Sequence, residues 1–327
     1  MPVVGPGRRA SRLLPGLLVA VAVVVAGCGG GAGSRAADPA PAPAPTSAAT
    51  PTTPAATPEP RDGLAELAEE EAWQAPADPR PTRLVFRGPV LGGDISWPQC
   101  PRGMGIPERR SWGAPLPLAG ARYVVIGLTN GPGFFANPCL ADQVDWARRN
   151  RLLTAAYAVA SYPDADAVRL HGTDGPFDGS TAFGALANTG YQQARFNVGS
   201  MVGAGLRSPI VWIDVEPVTD FEWSTDPVAN AAVVRGAARG YADAGYRIGV
   251  YSTPYLWAQI VADLALGVPE WRAAGETSRA EAARRCADDW TIQGGEAVLA
   301  QWLEDERDRN VTCPRVHRDL TRWFHSS

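Results

Sequence analysis

The chain contains no lysine: all 30 of its basic residues are arginine. Alanine is frequent as well, so the absence reflects a G+C-rich genome rather than a mechanism. Histidine is scarce. His171, His317 and His325 are the three present, and none stands with a cysteine in metal-ligand spacing. No C-x-x-C pair occurs either, so a zinc site is the weaker account of the cysteines, and no metal or cofactor is expected. The 327 residues carry a formal net charge of −4 and no basic tract with interleaved aromatics. That argues against nucleic acid as a partner. The apolar run near the start, Leu13 to Ala26, falls short of the roughly 20 residues that a membrane-spanning helix needs.

What is present begins with an export signal. Arg8, Arg9 and Arg12 precede that apolar run, and Val25-Ala26-Gly27-Cys28 follows. A small pair before a cysteine resembles a bacterial lipobox, which implies that Cys28 is lipidated and becomes the mature amino terminus. A cleaved signal with a chance cysteine is the alternative. The Arg8-Arg9 pair leaves the export route, Sec or twin-arginine, open. Residues 29–89 form a linker rich in Pro, Ala and Thr, with one short helical candidate from Leu64 to Trp73. Such a composition does not fold alone and acts as a semi-rigid spacer. The expected location is therefore the outer face of the cytoplasmic membrane and the cell wall, with the membrane reached through the lipid anchor.

Setting Cys28 aside leaves Cys100, Cys139, Cys286 and Cys313. An even set in an exported chain reads as two disulfides. Three pairings are possible, and proximity in sequence favours Cys100–Cys139 and Cys286–Cys313.

Residues 90–327 form the folded domain. Strand-like runs recur at Val90–Ile95, Arg122–Leu128, Leu152–Ala160, Pro209–Val215, Tyr246–Tyr251 and Ala297–Trp302, with a shorter one at Pro269–Ala273. They are apolar on both faces, as parallel strands covered by helices are. Helices are expected between them at Leu140–Asn150, Thr189–Ala204 and Asp226–Ala244. The last has Asp226 as N-cap, Pro227 in its first turn and Gly245 beyond its end. The alternation predicts an α/β architecture with a wound parallel sheet, closed or nearly closed into a barrel.

The fourth run ends Ile213-Asp214-Val215-Glu216-Pro217. Alternation along a strand puts Val211, Ile213 and Val215 on one side and Trp212, Asp214 and Glu216 on the other. Two acids then share the carboxyl end of a strand, where barrels of this class keep their sites. Their Cα atoms stand roughly 6.6 Å apart, a proxy for the roughly 5 to 9.5 Å between the paired carboxyls that work on glycosidic bonds. A strand that simply ends in solvated acids is the competing reading.

Several short motifs then line up in order. Gly93-Asp94-Ile95-Ser96-Trp97-Pro98-Gln99, Tyr123–Asn130, Gln193-Ala194, Asp214-Val215-Glu216, Gly249–Ser252, Gln301-Trp302 and Asp319-Leu320-Thr321 together resemble the GH25 family of Chalaropsis-type lysozymes. The resemblance spans Val90 to Phe324. It implies a modified (β/α) TIM-like barrel that hydrolyses a β-1,4 bond in peptidoglycan. By the same resemblance Glu216 is the general acid. Asp214 keeps Glu216 protonated, and Asp94 and Asp319 complete an acidic bowl. The second role can fall to the substrate's own acetamido group. Trp97, Trp212, Trp223, Tyr251 and Trp302 are candidates to stack on sugar rings, although core packing suits Trp302 and Tyr251. Asp164, Asp166, Asp174 and Asp178 lack calcium-loop order, so loop solvation is expected.

The chain departs from the family in two places. The third strand carries Tyr157-Ala158-Val159 where Tyr-His-Phe is usual, and the second ends Thr129-Asn130 in place of Thr-Glu. A cell-wall glycan hydrolase is the first functional reading. A non-catalytic glycan-binding or wall-associated lipoprotein on the same fold is the second.

Overall fold

A computed structural model describes residues 84–326. The export signal, the Cys28 site, most of the spacer and the Leu64–Trp73 candidate lie outside the described residues.

Eight strands close a barrel in chain order. They are β1 (Leu91–Ile95), β2 (Tyr123–Gly127), β3 (Leu153–Val159), β4 (Ile210–Asp214), β5 (Arg247–Ser252), β6 (Glu270–Glu276), β7 (Ala297–Glu304) and β8 (Arg307–Thr312). The first seven run parallel to their neighbours. The eighth is antiparallel to both β7 and β1, so the winding closes on a hairpin rather than on another crossover. Sequence reading passed over β8, because Arg-Asp-Arg-Asn is not apolar on either face. Its turn is also disguised. Glu304 pairs with Arg307, and the two residues between, Asp305 and Glu306, both adopt positive φ (53° and 57°). That is the signature of a type I′ turn, usually marked by Asn-Gly or Asp-Gly.

The expected alternation divides the molecule into two hydrophobic layers. Val211, Ile213 and Val215 join the layer between strands and helices. Ile210 and Trp212 fill the barrel with Tyr123, Trp271, Leu299, Trp323 and Phe324. The outer layer is completed by α1 (Leu140–Arg149), α2 (Ala165–His171), α3 (Ala182–Gly203), α4 (Pro227–Asp243), α5 (Pro254–Val261) and α6 (Arg279–Arg284). Helix α4 begins as expected, with the Asp226 carboxylate accepting from the Val228 N–H. Helix α3 starts seven residues before the expected Thr189, capped by Thr181. Gly184, a poor helix former near the start of α3, hid its first turns. Helices α3 and α4 touch backbone to backbone: a Cβ on Gly236 would stand 1.8 Å from the Ala187 carbonyl oxygen.

The barrel's amino-terminal end is plugged by the segment after β8. The Leu320 N–H bonds the Leu84 carbonyl, the Phe86 N–H bonds the His317 carbonyl, and His325 bridges to Thr154 at the start of β3. Phe324 packs on Tyr123 (centroids 4.3 Å apart) and Trp323 stacks beside Trp212 (6.4 Å). The two disulfides are Cys100–Cys139 and Cys286–Cys313, the pairing favoured by proximity. Beside the second lies a fully buried ion pair, Glu270 with Arg272 at 2.7 Å. Glu270 also accepts backbone N–H bonds from Ile292, Gln293 and Gly295, and Arg272 donates to the carbonyls of Arg285 and Ala287. Both charges are satisfied, which a buried pair requires.

Candidate active site

At the carboxyl ends of the parallel strands four acids converge. Asp94 comes from β1, Asp214 from the last position of β4, Glu216 from two residues beyond, and Asp308 from β8. Because β8 runs antiparallel, its first residues lie at the end where the others finish. Asp308 and Asn310, two apart, therefore share the inward face with Asp94. Asp94 and Asp214 are buried, at 5% and 3% exposure. Glu216 and Asp308 remain partly open to solvent.

Asp94 sits in a hydrogen-bond chain. It accepts from Asn310 Nδ2 at 2.5 Å and from Gln301 Nε2 at 3.2 Å. The Trp271 indole N–H donates to Asn310 Oδ1 at 2.7 Å, and the Tyr251 hydroxyl donates to Gln301 Oε1 at 2.7 Å. An indole N–H can only donate, so it fixes which end of the Asn310 amide faces Asp94. Asp94 is thus held as an acceptor. Burial pushes its pKa up, Asp308 adds to the rise, and the two amides oppose it.

Asp214 has no such support. Its Oδ1 is buried without a hydrogen-bond partner. Burial, then Glu216 and Asp94, raise its pKa well above the carboxylate range. Glu216 is raised to about 7, first by burial and then by Asp308, while Arg109 pulls the other way. Burial lifts Asp308 to about 6. Four acids crowd a low-dielectric mouth with one guanidinium beside them, so protons are retained near neutral pH. The backbone around Glu216 is pinned. The Trp223 indole N–H donates to the Glu216 carbonyl at 2.9 Å, and the Ser252 hydroxyl donates to the Val215 carbonyl at 2.7 Å.

Arg109 reaches the mouth from the loop after β1. It donates to the Thr219 carbonyl, and its guanidinium lies 5.8 Å from the Trp97 ring centroid and 5.7 Å from that of Phe221. Asn130, which replaces the expected glutamate, is buried and holds this loop. Its amide bonds the Ile106 N–H and the Arg109 carbonyl. Trp112 stands edge-on to Trp97 and Phe135 edge-on to Phe221, both well exposed. Together these rings form an aromatic rim on one side of the acids.

The other expected site residues separate. Asp319 belongs to the plug at the opposite end of the barrel, where it accepts from the Thr321 hydroxyl. The Asp319-Leu320-Thr321 match, which implied a place in the acidic bowl, falls between two 3-10 turns instead. Trp212 is wholly buried in the barrel interior, below the acids. Trp302 faces outward under α6, its N–H on Glu304. Neither is open to a ligand. Tyr251 touches the site through Gln301. Trp223 is partly exposed, with its N–H committed to the Glu216 backbone. Asp164 caps α2, Asp178 binds Ser180, and Asp166 pairs with Arg169. Among the described residues no group of three His, Cys, Asp or Glu is arranged to hold a metal ion, and no helix is long and apolar enough to cross a membrane. Sequence reading missed Asp308, Asn310 and Arg109. The first two carry a two-residue spacing that becomes informative only once the hairpin is recognised.

A family model described as lysozyme-like protein 1 matches residues 182–288, about a third of the chain. That segment, from α3 through β4 to α6, resembles a lysozyme. Among solved structures, a bacterial lysozyme from Streptomyces coelicolor aligns at 15% identity over 73% of this chain and 98% of that one, with a TM-score of 0.47. A GH25 lysozyme from Aspergillus fumigatus aligns at 16% identity over 69% and 94%, TM-score 0.42. The modular autolysin LytC from Streptococcus pneumoniae, solved with a synthetic peptidoglycan ligand, aligns at 12% identity over 68% of this chain, TM-score 0.41. The chain spans 46% of LytC's length. A search of characterised protein sequences found no match.

Proposed function

We propose that the domain hydrolyses a β-1,4 glycosidic bond of peptidoglycan, with Glu216 as general acid. The observation that carries this reading is the placement of Glu216. It is a partly exposed carboxyl at a barrel mouth, held protonated to about pH 7 by burial and by Asp308 beside it. A glycosidic oxygen is a poor leaving group and needs such a proton donor. Asp214, buried next to Glu216, keeps that proton in place and stabilises positive charge developing on the sugar. Asp94, fixed by its two amides, lines the same bowl. Asp308 or the substrate's acetamido group supplies the second function at the anomeric carbon. The rim of Trp97, Trp112, Phe135 and Phe221 offers flat apolar faces for successive sugar rings. Trp223 acts on the reaction through the Glu216 backbone rather than by stacking. The lysozyme-like match over residues 182–288 supports the same reading. Two disulfides suit an exported protein, and we place it at the cell wall, tethered through Cys28.

The test is to incubate the protein with purified peptidoglycan and identify the new reducing ends. New muramic-acid ends that vanish in Glu216→Gln are the expected result. Binding without any new ends would give the assignment to the non-catalytic glycan-binding reading.

A further inference from the structure

The opposite end of the barrel carries its own chemistry. Each of the first five strands has an arginine at its start or within four residues before it: Arg87, Arg122, Arg151, Arg207 and Arg247. Parallel strands that begin at one end place these five guanidinium stems around that end. The plug adds Arg315 and Arg322. The guanidinium groups of Arg247 and Arg322 lie 4.5 and 4.8 Å from the Trp323 ring centroid. Arg87, Arg122, Arg151 and Arg207 are exposed, and among the described residues no carboxylate lies in salt-bridge reach of them. Acids share this end: Glu296 lies 3.9 Å from Arg322, and Asp319 belongs to the plug. A chain of net charge −4 therefore still places an arginine at or just before the start of each of its first five strands.

An open groove of about 300 Å³ runs from that end up the flank of the barrel, lined by Phe86, Arg87, Pro89, Leu91 and Arg122 near the strand starts and by Arg279 at the start of α6. Three guanidinium groups line it and no carboxylate does. Guanidinium forks match phosphate oxygens in pairs, and the apolar walls suit the carbon part of a headgroup.

We propose that the amino-terminal end of the barrel is an anion-binding face that seats on a phosphate-bearing lipid surface, with the Arg87–Arg122–Arg279 groove taking one phosphodiester headgroup. The lipid source follows from where the chain enters. Leu84 and Phe86 are hydrogen-bonded into this same end, and the 83 residues before Leu84 include the apolar run and Cys28. This clause rests on the anchor reading of Cys28. Clustered arginines beside a membrane attachment add attraction to anionic headgroups, screened by salt. The acidic mouth would then face away from the membrane.

The experiment uses the full chain carrying Cys28→Ala, so that no lipid is attached. Its flotation with phosphatidylcholine vesicles is compared with flotation on vesicles containing phosphatidylglycerol, at low and physiological salt. The apolar run contributes equally in every variant. The chain is expected to prefer the anionic vesicles by tenfold or more, and Arg87→Gln/Arg122→Gln/Arg279→Gln is expected to lose most of that preference at unchanged melting temperature. The three side chains are exposed; should the triple variant unfold, the single variants are read instead. Arg284→Gln, whose arginine is paired with Glu281, serves as control. An unchanged preference in the triple variant would overturn the proposal. So would tighter binding to duplex DNA than to anionic vesicles at equal phosphate concentration. Soluble glycerophosphoglycerol is expected to compete with the vesicles. Binding of inorganic phosphate with no vesicle preference would reject the lipid source.

Discussion

The two ends of this barrel are built from the same strands and hold opposite charge. At the carboxyl ends, Asp94, Asp214, Glu216 and Asp308 crowd together with one nearby cation. At the amino ends, arginines ring a plug of Trp323, Phe324 and Leu320 packed under Trp212. The mouth is polar, partly open, and holds carboxyls against their preference. The floor is apolar inside, with arginines exposed around it. A buried acid without partners costs stability, whereas an exposed arginine costs almost none. The mouth is thus where stability is given up, and the packed floor is where it is recovered.

The largest expected effect is on turnover. Glu216→Gln should lower peptidoglycan hydrolysis by about a hundredfold to ten-thousandfold while glycan binding persists, whereas Asp178→Asn, in a distant loop, should leave the rate alone. Arginine substitutions on the floor should also leave turnover on soluble glycan fragments unchanged. A floor variant as inactive as Glu216→Gln would erase the division between the ends.

The floor should answer in stability instead. Trp212→Ala opens a cavity in the barrel interior and should lower unfolding free energy by about 3 to 5 kcal/mol, measured by denaturant titration.

The third effect has the opposite sign. Glu216 keeps its proton to about pH 7 in the folded chain, against 4.5 ordinarily. Between those values the folded state binds more protons than the unfolded state. Glu216 therefore costs nothing below the lower value, lowers stability as pH rises through the window, and has a constant effect above it. Glutamine does not ionise. Glu216→Gln should melt several degrees higher than the parent at pH 8, by up to about 3 kcal/mol, and alike at pH 4. Equal melting at both pH values would show that the mouth carries no such penalty.

The smallest effect concerns Arg109. Its cation favours ionised Glu216. Arg109→Gln should raise the Glu216 pKa, shifting the alkaline limb of the pH–rate profile upward. A downward shift would mean that the guanidinium acts on Glu216 by another route.

Much of this contrast was legible in the chain. Ile210-Val211-Trp212-Ile213-Asp214 announced a strand with two distinct faces, and each face packs as its residues dictate. The same alternation that brought Asp214 to the mouth sent Trp212 into the core, because it lies two residues lower on the same face. Fold reading worked where apolar runs were long. It failed at β8, whose polar residues satisfy their hydrogen bonds across the hairpin and at the site. Asp319 misled for a related reason: a three-residue match says nothing about which end of a barrel it will occupy. Arg109 was invisible because loop residues find their partners through tertiary contacts that no local pattern encodes.

The hairpin has a temporal consequence. Asp94 meets Asn310 across 216 positions of sequence and Gln301 across 207, and Asp308 lies between those two partners. A chain emerging from the ribosome presents β1 first and β8 last, so Asp94 waits, without its amide donors, for nearly the whole domain to follow. Contacts this distant close late and slowly. Closing the barrel and completing the acid site are one event. A nascent or truncated chain lacks the complete acid cluster, and the four carboxyls come together only once the last strand is in place.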